Sequence, residues 1–147
     1  MRRMDVNELY DQVKGHAGQY VLCCDLIQLS LINEKGGMAA GDAVIREAVA
    51  RMEAILAPGD LLLHLGGDEY ALLTNLRDGK TALALATRLT LRNGQPVAHE
   101  GVDYPVGLTV GVLRLPEKYE DFESLQDAMQ ESVQRARQMQ RRCFLVE

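Results

Sequence analysis

Cysteine is scarce in this sequence: Cys23, Cys24 and Cys143 form no even framework and no CxxC or Cys/His spacing. A disulfide scaffold and the common zinc sites are thereby excluded, and a reducing cytoplasm is the expected compartment. No stretch approaches the roughly 18–20 consecutive apolar residues that span a bilayer. Asp5, Glu8, Asp11 and Lys14 break up the N-terminal segment, which therefore lacks the apolar centre of a signal peptide. The chain is expected to be soluble and to make no membrane contact. A basic excess is missing too, since 16 Lys and Arg stand against 21 Asp and Glu, a formal net charge of −5. Proteins that track polymeric nucleic acid carry a basic stripe, so that class of partner is not expected. Internal repeats, low-complexity tracts and linkers are absent.

What is present fits one domain over residues 1–147, with 47% hydrophobic and 25% charged residues, the balance of a globular protein with a real core. Val6, Leu9, Tyr10 and Val13 lie at helical spacing and predict a short leading helix from about Asp5 to Lys14. YVLCCDL reads as a buried strand ending near Asp25. In GDAVIREAVARMEAIL, Ile45, Ala48, Val49, Met52, Ile55 and Leu56 share one helical face, and Asp42 stands where an N-cap would. Pro58 and Gly59 end that helix. DLLLHL and YALLT then read as two strands around a turn, and TALALATRLTLR as a helix. Residues 93–104 suit a small hairpin, VGLTVGVLRL a strand closed by Pro116, Phe122 to Gln140 a helix, and CFLV a final strand. Strands separated by helices, with a hairpin in the middle, predict an α/β (α+β) sandwich of ferredoxin-like kind: a mixed sheet with flanking helices.

The hairpin centre, HLGGDEYALL at 64–73, carries two glycines and two adjacent acids inside an apolar run. Gly and Asp are ordinary turn residues, so a solvated hairpin tip accounts for them. A site accounts for them as well. If the strands ending at Asp25 and beginning near Asp68 are neighbours, their carboxylates approach one point, and hard oxygen donors of that kind select Mg²⁺. Gly66 and Gly67 permit positive φ and close approach by a bulky ligand.

HLGGDEYALL resembles the signature hairpin of GGDEF domains, the diguanylate cyclase family, with Tyr70 where Phe is usual. DLIQLSLINEKGGMAAGD at 25–42 is similar to the family segment DxDxFKxINDxxGHxxGD without gaps, and ESVQRARQMQRR resembles a worn ALYxAKxxGRN. The likeness runs from about Tyr20 to Val146. It implies a nucleotide-cyclase/polymerase-palm-like sandwich that condenses two GTP molecules into cyclic di-GMP across a homodimer, with Mg²⁺ or Mn²⁺. Position by position, it implies Asp25, the Leu26 carbonyl and Asp68 as metal ligands, and Asp68 and Glu69 as the catalytic signature acids. It implies Asn33 and Asp42 as readers of the guanine edge, Gly66 and Gly67 beside the nucleotide, and Arg137 and Arg141 as phosphate contacts. For Asn33 a loop role, for Asp42 a helix cap, and for the two arginines a solvated basic face stay open as alternatives.

Several positions depart from the family pattern. Ser30 replaces a phosphate-binding Lys, Ile27 the second Asp of DxD, Met38 a His, His64 an Arg, and Gln130 and Gln134 an Asp and a Tyr. These departures keep a second function open, a degenerate module that binds GTP or a partner domain without turnover. Ala57, Pro58, Gly59 and Asp60 stand at the RxxD positions of product inhibition, so no tight cyclic di-GMP inhibitory site is expected. The family's opening DxLTGLxNRR is missing apart from Arg2 and Arg3, which suggests a piece of a longer signalling protein with a sensor or regulatory domain.

Overall fold

The computed structural model describes residues 11–12, 14–116, 122–138 and 143–146. β1 (Tyr20–Leu26) leads into α1 (Leu29–Ala54), the hairpin β2 (Leu61–Gly66) and β3 (Glu69–Leu73), and α2 (Gly79–Thr90). A second hairpin, β4 (Pro96–His99) and β5 (Val102–Pro105), precedes β6 (Leu108–Arg114), α3 (Phe122–Gln138) and β7 (Cys143–Val146). The main sheet has the order β2-β3-β1-β6-β7; β6 and β7 run parallel and the other neighbours antiparallel. β4 and β5 form a separate ribbon. This is the mixed sheet with flanking helices that the sequence predicts. Of the leading helix, Asp11, Gln12 and Lys14 are helical, and the remainder lies outside the described residues.

β1 runs through the middle of the sheet and is apolar on both sides because both sides are covered. Tyr20, Leu22, Cys24 and Leu26 join a core with Ile32, Ala40, Val44, Ala48 and Met52 of α1 and Ala82, Ala86 and Leu89 of α2. Val21 and Cys23 point the other way, into a core with Leu125, Met129 and Val133 of α3. By the same alternation Asp25 falls on the α3 side, at the end of the strand.

α1 departs from expectation at its start. The spacing predicts a helix opening at Asp42, but the helix already begins at Leu29 and bends at Gly37, where φ is 81° and ψ is 174°. Asp42 therefore sits inside the helix, exposed, and the capping reading is wrong. The residues before the kink are held by burial of Ile32, a tertiary contact with no local sequence mark. α2 starts at Gly79, two residues before the predicted start, because Asp78 caps it by accepting the Thr81 N–H at 3.1 Å.

Arg51, only 3% exposed, ties α1 to two distant loops. Its guanidinium donates to the carbonyls of Arg92 and Val106, each at 3.0 Å, to that of Gln95 at 2.8 Å and to Glu47 at 3.0 Å. A buried charge is tolerable only with partners of this kind.

Candidate functional site

β1 and β3 pair in a register that sets Asp25 opposite Glu69. The turn before Glu69 is made by Gly67 and Asp68, after a bulge between His64 and Gly66. Gly66 and Gly67 have φ of 138° and 54°, conformations that a Cβ disfavours, which is the physical reason for two glycines here. The Leu26 N–H donates to the Asp68 carbonyl at 3.1 Å and ties the turn to the end of β1. His64 braces the other side. Its Nε2 lies 3.1 Å from the Gly67 carbonyl, which can only accept, so Nε2 carries the hydrogen. The imidazole stacks on Tyr70 with centroids 4.6 Å apart and an interplanar angle of 11°.

Asp25 and Glu69 line a cleft of about 240 Å³ between the sheet and α3, together with Cys23, Gln130, Gln134 and Arg137. Arg137 forms an ion pair with Asp25 Oδ2. The Asp25 side chain is 10% exposed and its other oxygen, Oδ1, is buried without a hydrogen-bond partner. A carboxylate so buried calls for positive charge, and an unpartnered oxygen is the group a hard cation would engage. The carboxylates of this region thus fit a divalent ion in chemistry. Among the described residues no group of three or more His, Cys, Asp or Glu is arranged to hold a metal. Such an ion would therefore complete its shell with water and phosphate oxygens, as Mg²⁺ commonly does.

Cys23 is the cleft residue that sequence reasoning passed over. Burial above all pushes its thiol from 9.0 up to about 12, with the Ser132 hydrogen bond pulling down and the Glu69 charge pushing further up. It is a protonated wall of the cleft rather than a nucleophile. The Tyr70 phenol is also raised, by burial first and then by Asp68.

The remaining predicted residues fall in two places. Asn33 and Asp42 lie on α1, across the sheet from α3, and outside the cleft of Asp25 and Glu69. Asn33 Oδ1 is buried without a partner and fills the space that a Cβ on Gly41 would need, beside Asp42. Tyr104 of β5 lies against Gly36 in the same way, a contact from a distant hairpin with no signal in the local pattern. Arg141 lies outside the described residues. Ser30 is exposed, and Asp60 accepts the N–H groups of Ala57 at 3.0 Å and Asn75 at 3.2 Å, a loop-bracing role. No helix of the described residues is long and apolar enough to cross a membrane.

Comparison with known proteins agrees with this fold. The family described as "Diguanylate cyclase, GGDEF domain" matches residues 4–143. The probable diguanylate cyclase DgcE of Escherichia coli K12 is 34% identical over 98 residues, 66% of this chain and 9% of that protein. Diguanylate cyclase TpbB of Pseudomonas aeruginosa is 34% identical over 115 residues, 77% of this chain and 25% of that protein. The cyclic di-GMP phosphodiesterase PdeB of Shewanella oneidensis is 29% identical over 114 residues, 76% of this chain and 13% of that protein. The chain thus spans a quarter or less of the length of these relatives. Among solved structures, the GGDEF domain of TpbB superposes with a TM-score of 0.77 at 26% identity, over 97% of this chain and 83% of that one. Diguanylate cyclase SiaD of Pseudomonas aeruginosa, solved with its activator SiaC, gives 0.79 at 22% identity, over 98% and 61%, a likeness of fold. With its signature hairpin, palm-like sheet and matched span, the chain belongs to the GGDEF domain family.

Proposed function

We propose that this chain is a diguanylate cyclase domain, which joins two GTP molecules into cyclic di-GMP and releases pyrophosphate. The observation that carries the reading is the register of β1 and β3, which brings Asp25 and Glu69 into one cleft with Arg137. A guanidinium, and carboxylates able to hold a divalent ion, suit a triphosphate, whose transfer depends on positioning and charge more than on covalent chemistry.

In the proposed reaction each copy of the chain holds one GTP, and two copies face each other as a homodimer. Glu69 draws the proton from the 3′-hydroxyl of one nucleotide. That oxygen bonds to the α-phosphorus of the other nucleotide as the bond from phosphorus to the leaving pyrophosphate breaks; the same step in the opposite direction closes the ring, so two phosphodiester bonds form and two pyrophosphates leave. Asp25, the Leu26 carbonyl and Asp68 would hold Mg²⁺ or Mn²⁺, which when bound neutralises charge on the phosphate oxygens. Arg137 and Arg141 would grip the terminal phosphates through forked hydrogen bonds. Asn33 and Asp42 would read the guanine edge, Asn33 through its unpartnered Oδ1. Gly66 and Gly67, without Cβ atoms, would let the phosphates lie against the turn. In this reading the chain works in the cytoplasm as one part of a longer protein whose sensor or regulatory domain sets its activity.

Ser30 favours a second reading, a module that binds GTP or a partner domain without turnover. It is neutral and exposed where the family carries a Lys. Incubation with GTP and Mn²⁺ decides between them: cyclic di-GMP is expected, and GTP binding without product would favour the second reading.

A further inference from the structure

We infer that Arg137 is the resident counter-ion of the nucleotide-free site, occupying Asp25 until a cation and a triphosphate arrive together and then transferring to the phosphates. This rests on the cyclase reading of the cleft. Asp25 and Glu69 are the carboxylates that line the cleft, Gln130 and Gln134 are neutral, and Arg137 is the one cationic lining residue among those described. Asp25 is 10% exposed, so its charge needs a partner at all times.

Arg137 is fitted to leave. Its side chain is 52% exposed, so release into water costs little desolvation, and it stands in the last turn of α3. Arg135, two residues away, is held instead by Glu131 on its own helix at 3.0 Å. Arg137 has no carboxylate of α3 in the cleft to return to. A divalent ion that arrives alone at the open Oδ1 must sit close to the guanidinium held on Oδ2, and this like-charge approach disfavours binding. A triphosphate removes that conflict, because guanidinium groups fork onto phosphate oxygens with geometry as good as onto carboxylate. Metal and nucleotide therefore bind cooperatively, each raising the affinity of the other.

The test is Mn²⁺ binding to the whole chain without nucleotide, followed by electron paramagnetic resonance, for the wild type, Arg137→Lys and Arg137→Gln. Arg137→Gln is expected to bind Mn²⁺ alone at least about fivefold tighter than the wild type, the low end of typical coupling between sites. Arg137→Lys, which keeps the charge, is expected to stay as weak as the wild type. Mn²⁺ alone should also raise the melting temperature of Arg137→Gln and leave that of the wild type unchanged. Equal Mn²⁺ affinities for wild type and Arg137→Gln, with 3′-deoxy-GTP and Mn²⁺ still bound by the wild type, overturn the inference and leave the cyclase reading standing. Failure of the wild type to bind Mn²⁺ with 3′-deoxy-GTP overturns both. If Arg137→Gln does not fold, Arg137→Met, which keeps the stem, takes its place. Folding of either variant rescued by Mn²⁺ supports the exchange at Asp25, and no rescue of either contradicts it.

Discussion

The side-chain amide of Asn33 fills the space that a Cβ on Gly41 would take, across the Gly37 bend of α1. This packs an unpartnered amide oxygen against Gly41 and makes that glycine a condition of the arrangement. Gly41→Ala is expected to drive Asn33 out of place while α1 stays folded, since Ala is a better helix former than Gly. GTP affinity should fall by roughly tenfold or more, the equivalent of one or two recognition hydrogen bonds. ATP affinity, measured by the same calorimetric titration, should hardly change. Equal losses for GTP and ATP would show that Asn33 has no part in reading the base.

Arg51 offers a stability test away from the site. Arg51→Met removes the donors to the Arg92, Gln95 and Val106 carbonyls and leaves Glu47 without its buried partner. The expected cost is at least about 1–3 kcal/mol, the range for leaving a buried acceptor unpartnered. Urea unfolding measures it, and a loss below about 1 kcal/mol would mean that the carbonyls recover water.

On the cyclase reading, Ser30→Lys puts a cation where the family pattern carries one for the phosphates. A charged hydrogen bond to phosphate contributes about 1.5–3 kcal/mol, so GTP should bind roughly ten- to a hundredfold tighter. Guanosine, which has no phosphate, serves as the control and should bind the variant and the wild type equally.

Cys23 and Cys24 set a limit at alkaline pH. Both thiols are raised by burial above all, Cys23 from 9.0 to about 12 and Cys24 well above 9.0. A group whose folded value is raised holds its proton longer folded than unfolded, so its contribution is intact below pH 9.0 and is lost as pH climbs toward about 12. Stability to urea should therefore decline across that window, by about 1 kcal/mol per pH unit for each thiol. Replacing both by Ala should flatten the decline. In the folded protein at neutral pH neither thiol should react with a disulfide reagent.

Local features of the sequence carried much of the fold. Alternation and continuous apolarity marked Tyr20–Leu26, Leu61–Gly66, Glu69–Leu73 and Leu108–Arg114, because strand burial is written in neighbouring residues. The Gly-Gly-Asp turn was legible for the same reason. The start of α1 was not: Gly36 and Gly37 look like a break, yet Ile32 is buried before them and Tyr104 lies against Gly36. That helix is held by contacts distant in the chain. With β1 and β3 taken as neighbours, the expected convergence is of Asp25 with Asp68, whereas the register sets Glu69 opposite Asp25 and leaves Asp68 in the turn. The pairing of Arg137 with Asp25 was not legible, since it depends on how α3 crosses the sheet.

The most direct test of the account is product formation from GTP with Mn²⁺, followed by chromatography over a series of protein concentrations. The account predicts cyclic di-GMP and pyrophosphate, with a rate per chain that rises with protein concentration as two copies meet, and loss of product in Glu69→Gln. A folded protein that binds GTP and Mn²⁺ but makes no cyclic di-GMP at any concentration would contradict it.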